Sequence, residues 1–231
     1  MISIVCKTRD FVVINKPPGV PSQSDPSGDI DAMSACSELL SCSGEKNTKL
    51  YLIHRLDRVV GGLMVFARNA KTAASLSSAV ANRCMKKEYF AVLEGECEES
   101  GVLSDYIYKD AKISKAFVTQ KERNGVKYAE LSYVLLEKIE VENKILSLVK
   151  VGLNTGRFHQ IRVQFSSRKL PLVGDKKYGS RDAKAKMPAL FACGLEFSND
   201  GRLESFCVLP DVTAYPWNLF KKQNYENIGV L

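Results

Sequence analysis

The sequence predicts an α+β fold: a single domain built on a large, mostly antiparallel mixed sheet flanked by helices, with a cleft across the sheet. Three observations carry this. Strand patterns dominate, and few alternate with helices as β-α-β units would. Two pairs of strands stand in hairpin spacing, Tyr128 to Lys138 with Lys144 to Val151, and Leu190 to Phe197 with Glu204 to Leu209. No internal repeat, low-complexity stretch or linker divides the 231 residues, enough for one large core.

Taken in order, Ile2 to Cys6 and Phe11 to Asn15 read as two short strands. Lys16-Pro17-Pro18-Gly19-Val20-Pro21 ends their pairing, because proline has no ladder donor. Ala32 to Leu40 is a short helix after a polar loop. Leu63-Met64-Val65-Phe66 is a buried strand. Asn69 is a helix cap, and Ala70 to Asn82 a helix with Ala73, Leu76, Ala79 and Val80 on one face. Lys86 to Leu93 is a strand, closed by Gly95 and an acidic turn through Ser100. Asn124-Gly125 marks a hairpin turn in the basic stretch Lys109 to Lys127. Gly156 to Ser166 reads as a helix, Arg168 to Gly179 as a loop, and Trp217 to Lys222 as a terminal helical turn.

Composition narrows the function classes. Hydrophobic content of 45% and charged content of 26% are those of an ordinary globular chain. A net charge of +7 favours a polyanionic partner through counterion release. The seven cysteines are irregularly spaced with no Cys-x-x-Cys, which argues against a disulfide framework or a zinc site. Two histidines, His54 and His159, are too few for a histidine-built metal centre, so no metal is expected. Ile2 to Cys6 is too short for a signal peptide, and no apolar run reaches membrane-spanning length. A cytoplasmic monomer with no membrane association is expected.

The stretch Leu52-Ile53-His54-Arg55-Leu56-Asp57-Arg58-Val59-Val60-Gly61-Gly62 interrupts apolar sequence with one carboxylate between two arginines. Flanking cations favour the ionised acid, the form a carboxylate nucleophile needs. The glycines at 61 and 62 permit a sharp turn or a close approach to a ligand. The alternative is a surface loop whose arginines pair with its own acid. In the helix after Gly156, Phe158, Ile161, Arg162 and Phe165 share a stripe, which turns Arg162 toward the apolar side. Either a carboxylate meets it there, with Asp57 the candidate, or it lies at the stripe's edge and snorkels to water. Tyr89, beside Lys87, is either a base-stacking ring or a half-buried strand residue. His54 and His159 are acid–base groups or structural hydrogen-bonders. Asp175 is a second carboxylate that serves chemistry or ties down its loop.

Separated motifs run in order through the chain: Asn15-Lys16-Pro17, His54-Arg55-Leu56-Asp57, Lys87-Glu88-Tyr89, Leu153 to Arg162 with its Gly156-Arg157-Phe158-His159-Gln160-Ile161-Arg162, and Pro171 to Asp175 ending in Tyr178-Gly179. Together, from about Asn15 to Phe197, they resemble the RluA-type pseudouridine synthases. The resemblance implies a catalytic domain over residues 1–231, without a separate S4-type RNA-binding domain. It further implies a cofactor-free isomerase that detaches a uracil in tRNA or rRNA, rotates it, and rejoins it to ribose through carbon 5. By the same resemblance, Asp57 is the nucleophile. Tyr89 stacks on the base and helps move a proton, Arg162 pairs with the aspartate, and Arg55 enters the RNA in place of the flipped nucleotide. His54, Lys87, Arg157, His159 and Gln160 are the accompanying substrate-binding positions.

Val60-Gly61-Gly62 departs from the family's Thr-Ser-Gly, which removes two hydroxyls that could brace the loop. RNA affinity is expected from basic arms on either side of the cleft, Lys109 to Lys127 and Arg168 to Lys186. Two other readings are a non-catalytic RNA-binding protein of this fold and a metal-dependent phosphodiesterase using Asp57 and Asp175.

Overall fold

A computed structural model describes residues 2–122 and 124–226. In chain order these form β1 (Ser3–Lys7), β2 (Phe11–Lys16), α1 (Ala32–Cys42), β3 (Tyr51–Leu52), β4 (Gly61–Ala67), α2 (Ala70–Ala81) and β5 (Lys86–Glu94). Then come β6 (Ser100–Asp110), β7 (Lys115–Thr119), β8 (Val126–Val141), β9 (Lys144–Leu153) and α3 (Gln160–Ser167). The hairpin β10 (Leu190–Asn199) and β11 (Arg202–Cys207) precedes α4 (Gln223–Glu226). The fold is α+β, with the strands in a large, mostly antiparallel sheet. The chain divides into two compact units. The first runs through Lys87 and takes up Ala192–Pro210, and the second holds Glu88–Phe191 and the segment from Asp211 on.

In the first unit, β2 pairs antiparallel with β1 on one side and with β4 on the other, and β3 pairs with the far end of β4. Every residue of β4 is buried, as an unalternating apolar run predicts for a strand covered on both faces. Asn69 caps α2 by accepting the amide hydrogen of Thr72 at 2.9 Å. The helix then sets Leu76, with Ala73 and Val80 beside it, on a core containing Phe11, Val65 and Phe197. The β10–β11 hairpin, expected from the spacing of its two strands, closes through Asp200-Gly201, both at positive φ.

The second unit is the antiparallel series β5-β9-β8-β6-β7. Its long β8–β9 hairpin turns at Glu142-Asn143, with φ of 52° and 61°, the pair of left-handed residues whose twist suits a two-residue loop. The helix α3 lies over Leu103, Ile107 and Ala129, with Val163 and Phe165 inward.

Three expectations need correction here. β6 is not among the expected strands. Its inward Asp105 looks wrong for a strand, yet its carboxylate receives Gln164 Nε2 at 2.7 Å and Arg168 Nη1 at 2.9 Å, partners 59 and 63 residues away. Asn124-Gly125 is not the turn of an adjacent hairpin, because β7 and β8 flank β6 on opposite sides. The tight hairpin is β6–β7, whose turn is pinned by Asp110 accepting the amides of Lys112 and Ile113. Finally, α3 starts at Gln160 rather than Gly156, since the amides of Asn154 and Thr155 bond to Glu130 O on β8 and His159 takes a left-handed φ of 53° that no α-helix continues through.

Candidate active site

The Asp57 loop is held from three directions within the first unit. Leu56 and Val60 are buried on either side of Asp57, and Val60 N–H closes a turn on Asp57 O at 2.9 Å. Ser22 Oγ donates to Leu56 O at 2.7 Å and accepts Leu56 N–H at 3.1 Å, a bond in each direction next to the acid. Lys16, fully buried at the end of β2, donates from Nζ to Pro17 O, Val20 O and Arg58 O at 3.1, 2.8 and 3.2 Å. One ammonium thus ties the proline-rich segment to the Asp57 turn. Gly19 N–H adds a bond to Arg58 O at 2.8 Å. Burial pushes the Lys16 ammonium down to about 8, opposed by the charge of Asp57 and assisted by that of Arg58. The cation whose charge Asp57 meets from β2 is therefore Lys16, which the sequence signals only as part of Asn15-Lys16-Pro17.

Arg58 does not pair with Asp57. Its guanidinium reaches Asp29, Ser27 Oγ at 3.0 Å and Gly19 O at 3.0 Å, so it braces the 19–29 loop. Arg55 is exposed. Gly62, at φ +116°, answers to the protein rather than to a ligand: a Cβ there would lie 2.2 Å from Ala192 O. His54 accepts Val65 N–H at Nε2, 3.2 Å away, and its Nδ1 is shielded from solvent. Burial, aided by the charge of Lys87, holds the ring well below the ordinary histidine range, so it is neutral. Burial likewise pushes Lys87 down to about 8.

Tyr89, Arg157, His159, Gln160 and Arg162 belong to the second unit. Tyr89 lies on β5 opposite Val151 and is 6% exposed. Gln160 is buried; its Oε1 accepts Thr155 Oγ1–H at 2.8 Å and Arg157 N–H at 2.9 Å, and its Nε2 donates to Glu130 O at 3.0 Å. Arg157 Nε donates to Tyr128 O at 2.8 Å. These bonds fasten the loop before α3 to β8. His159 caps the helix in a left-handed conformation, φ 53°, which L side chains seldom adopt. Its ring stacks on Phe158 at 3.8 Å, and its Nδ1 is 2.8 Å from the Tyr178 hydroxyl. Burial first, then the charges of Arg162, Lys177 and Lys109, push His159 down to about 3, so this ring too is neutral.

Arg162 does not snorkel. It is 4% exposed, and Asp175 takes its Nε at 2.7 Å and its Nη2 at 2.8 Å, with the Tyr178 ring 5.0 Å beneath the guanidinium carbon. A planar fork gripped at two donors has its remaining edge aimed by the protein. The sequence gives Asp175 no partner. It lies after Gly174, a φ +80° glycine where a Cβ would meet Met187 O at 2.4 Å, the one local hint that the turn is built to place a side chain.

Among the described residues, no group of three or more His, Cys, Asp or Glu could hold a metal ion, and no helix is long and apolar enough to cross a membrane.

Residues 10–167 match the model of the RNA pseudouridylate synthase family. An uncharacterized RNA pseudouridine synthase of Zymomonas mobilis is 34% identical over 192 residues, which cover 82% of this chain and 84% of the relative. A second, from Bacillus subtilis, is 30% identical over 187 residues, 78% of this chain, and the match spans 58% of its length. The tRNA pseudouridine synthase C of Vibrio parahaemolyticus is 30% identical over 77% of this chain and 74% of its own. Among solved structures, human RNA Pseudouridylate Synthase Domain Containing 1 superposes with a TM-score of 0.75 at 25% identity, over 94% of this chain and 86% of that one.

Proposed function

Because the chain belongs to the RNA pseudouridine synthase family, whose members are RNA isomerases, we propose that it converts specific uridines of tRNA or rRNA into pseudouridine, with residues 1–231 acting as one catalytic domain. Asp57 is the nucleophile. The N1–C1′ bond of the target breaks, the uracil turns in place, and a C5–C1′ bond forms; C5 gives up its hydrogen and N1 gains one, so no cofactor is consumed. Tyr89 stacks on the base and assists that proton transfer. Arg162 pairs with Asp57, and Arg55 fills the gap left in the RNA. The ribose–base bond is inaccessible in stacked RNA, so the nucleotide must flip out at a cost of a few kcal/mol. Holding the detached uracil in a closed pocket makes its recapture effectively intramolecular. His54, Lys87, Arg157, His159 and Gln160 line or brace the substrate surface.

The observation that carries this reading is Arg162. It is a buried guanidinium, oriented by a bidentate carboxylate, inside the stretch that matches the family. A site of that kind is expensive to build and has a use where a second anion must be held in place. The Val60-Gly61 departure does not leave the loop unsupported, since Ser22 and Lys16 brace it. The test is incubation with bulk unmodified RNA and mapping of pseudouridine. The wild type should form product and Asp57→Asn should form none. RNA binding by the wild type without product would favour a non-catalytic binder, and loss of product on adding a chelator would favour metal-assisted chemistry.

A further inference from the structure

The two basic segments that the sequence sets apart meet within the second unit. The β6–β7 turn carries residues 114 and 115 against the 3-10 turn Lys176–Tyr178: Lys177 Nζ donates to Ser114 O at 2.9 Å, and Lys115 Nζ stands 5.4 Å from the Tyr178 ring centre. Lys109 Nζ lies 4.5 Å over the ring of Phe158, the residue before His159. Among the described residues, none of these three ammoniums has a carboxylate within ion-pairing distance. Asp110, directly opposite Lys115 across the strands, has its Oδ1 turned into the backbone of its own turn instead.

Two of the lysines are therefore fixed by aromatic rings and the third by a neutral carbonyl. Such contacts position an ammonium and leave its charge intact. All three border one surface, at the start of α3, and the charges of Lys109 and Lys177 reach His159 there. Beside Lys115, 5.6 Å from its Nζ, the ring of Phe117 is 40% exposed on the edge strand β7. An exposed ring next to unneutralised ammoniums suits a nucleotide, which offers a flat face and a phosphate together. An acidic protein segment would use the charges and leave the ring idle.

We propose that Lys109, Lys115 and Lys177 form a grip for the phosphodiester backbone of RNA beside the start of α3, with Phe117 as a stacking surface for an unpaired base. The proposal rests on the reading of the substrate as RNA, and names where its backbone is held.

The experiment measures RNA affinity against salt for the full chain and for the triple variant Lys109→Gln, Lys115→Gln, Lys177→Gln. Each phosphate contact to single-stranded RNA contributes about 0.7 to the slope of log affinity against log salt. The variant should therefore be flatter by about 2 and bind about 100-fold more weakly at 0.1 M salt than the wild type, on slopes that converge near 1 M. The loss should fall on KM rather than on kcat at saturating RNA, and the triple lysine-to-arginine variant should recover the slope. An unchanged slope and affinity would overturn the grip, as would a kcat loss without a slope change, which marks a structural role. Polyglutamate bound more tightly than RNA through the same lysines would also overturn it, in favour of an acidic protein. If the wild type binds RNA with this lysine-dependent slope but forms no pseudouridine, the isomerase reading falls and the grip stands. If product forms and the slope ignores the lysines, the grip falls alone.

Discussion

Arg162 and Asp175 are two charges that the interior tolerates only together. Removing one member of a buried pair leaves the other uncompensated, a loss of about 3–5 kcal/mol. Asp175→Ala should lower the unfolding free energy by that amount in urea titrations, and Asp175→Asn, which keeps the shape, should lower it less. A stability near wild type in the alanine variant would mean that Asp175 does not hold the arginine. The histidines set a pH dependence with a definite sign. His159 ionises near 3 in the folded protein and near 6.5 in the unfolded chain, so between those values only the unfolded chain takes up the proton. Its contribution therefore falls as pH drops through that window and is constant above it; His54 acts in the same direction. At pH 5, His159→Gln should recover about 2 kcal/mol of the loss the wild type suffers relative to pH 7. The same neutrality means that neither ring titrates in the folded protein near pH 6.5, so no inflection there should appear in a rate profile.

At the scale of the elements, what was legible followed from local pattern. The unbroken apolar run of β4, the Asn69 cap of α2 and the Asp200-Gly201 turn each state their structure within a few residues. β6 and the start of α3 do not, because Asp105 and the loop before Gln160 find their partners on distant elements. The candidate site divides in the same way. The stripe around Arg162 leaves burial and snorkelling both open, and only the His54 to Asp57 motif could be read from spacing. Lys16, Ser22 and Asp175 could not, since a buried polar group is recognised only once its partner is known. Gly62 shows how tightly two elements can depend on one position. Its backbone meets that of Ala192 on β10 with no room for a methyl group, at a φ that L residues avoid. Gly62→Ala should destabilise by at least about 3 kcal/mol or prevent folding. Gly156→Ala, with open space around it, should unfold close to the wild-type midpoint in the same thermal melts. A mild effect at position 62 would show that β4 and β10 can part at little cost.

At the scale of the molecule, the first unit is assembled from both ends of the sequence: Phe11, Val13 and Leu63 share their core with Leu195 and Phe197. On a ribosome making about 5–20 residues per second, the opening 87 residues therefore wait on the order of 5–20 seconds for the strand that finishes their interior. Until then they carry a half-built apolar face, an invitation to chaperones. A nascent chain arrested before Ala192 should be cut readily by protease within its first 87 residues, and one arrested well past Pro210 should resist. Equal resistance in both would mean that the opening segment folds without waiting for its late partner.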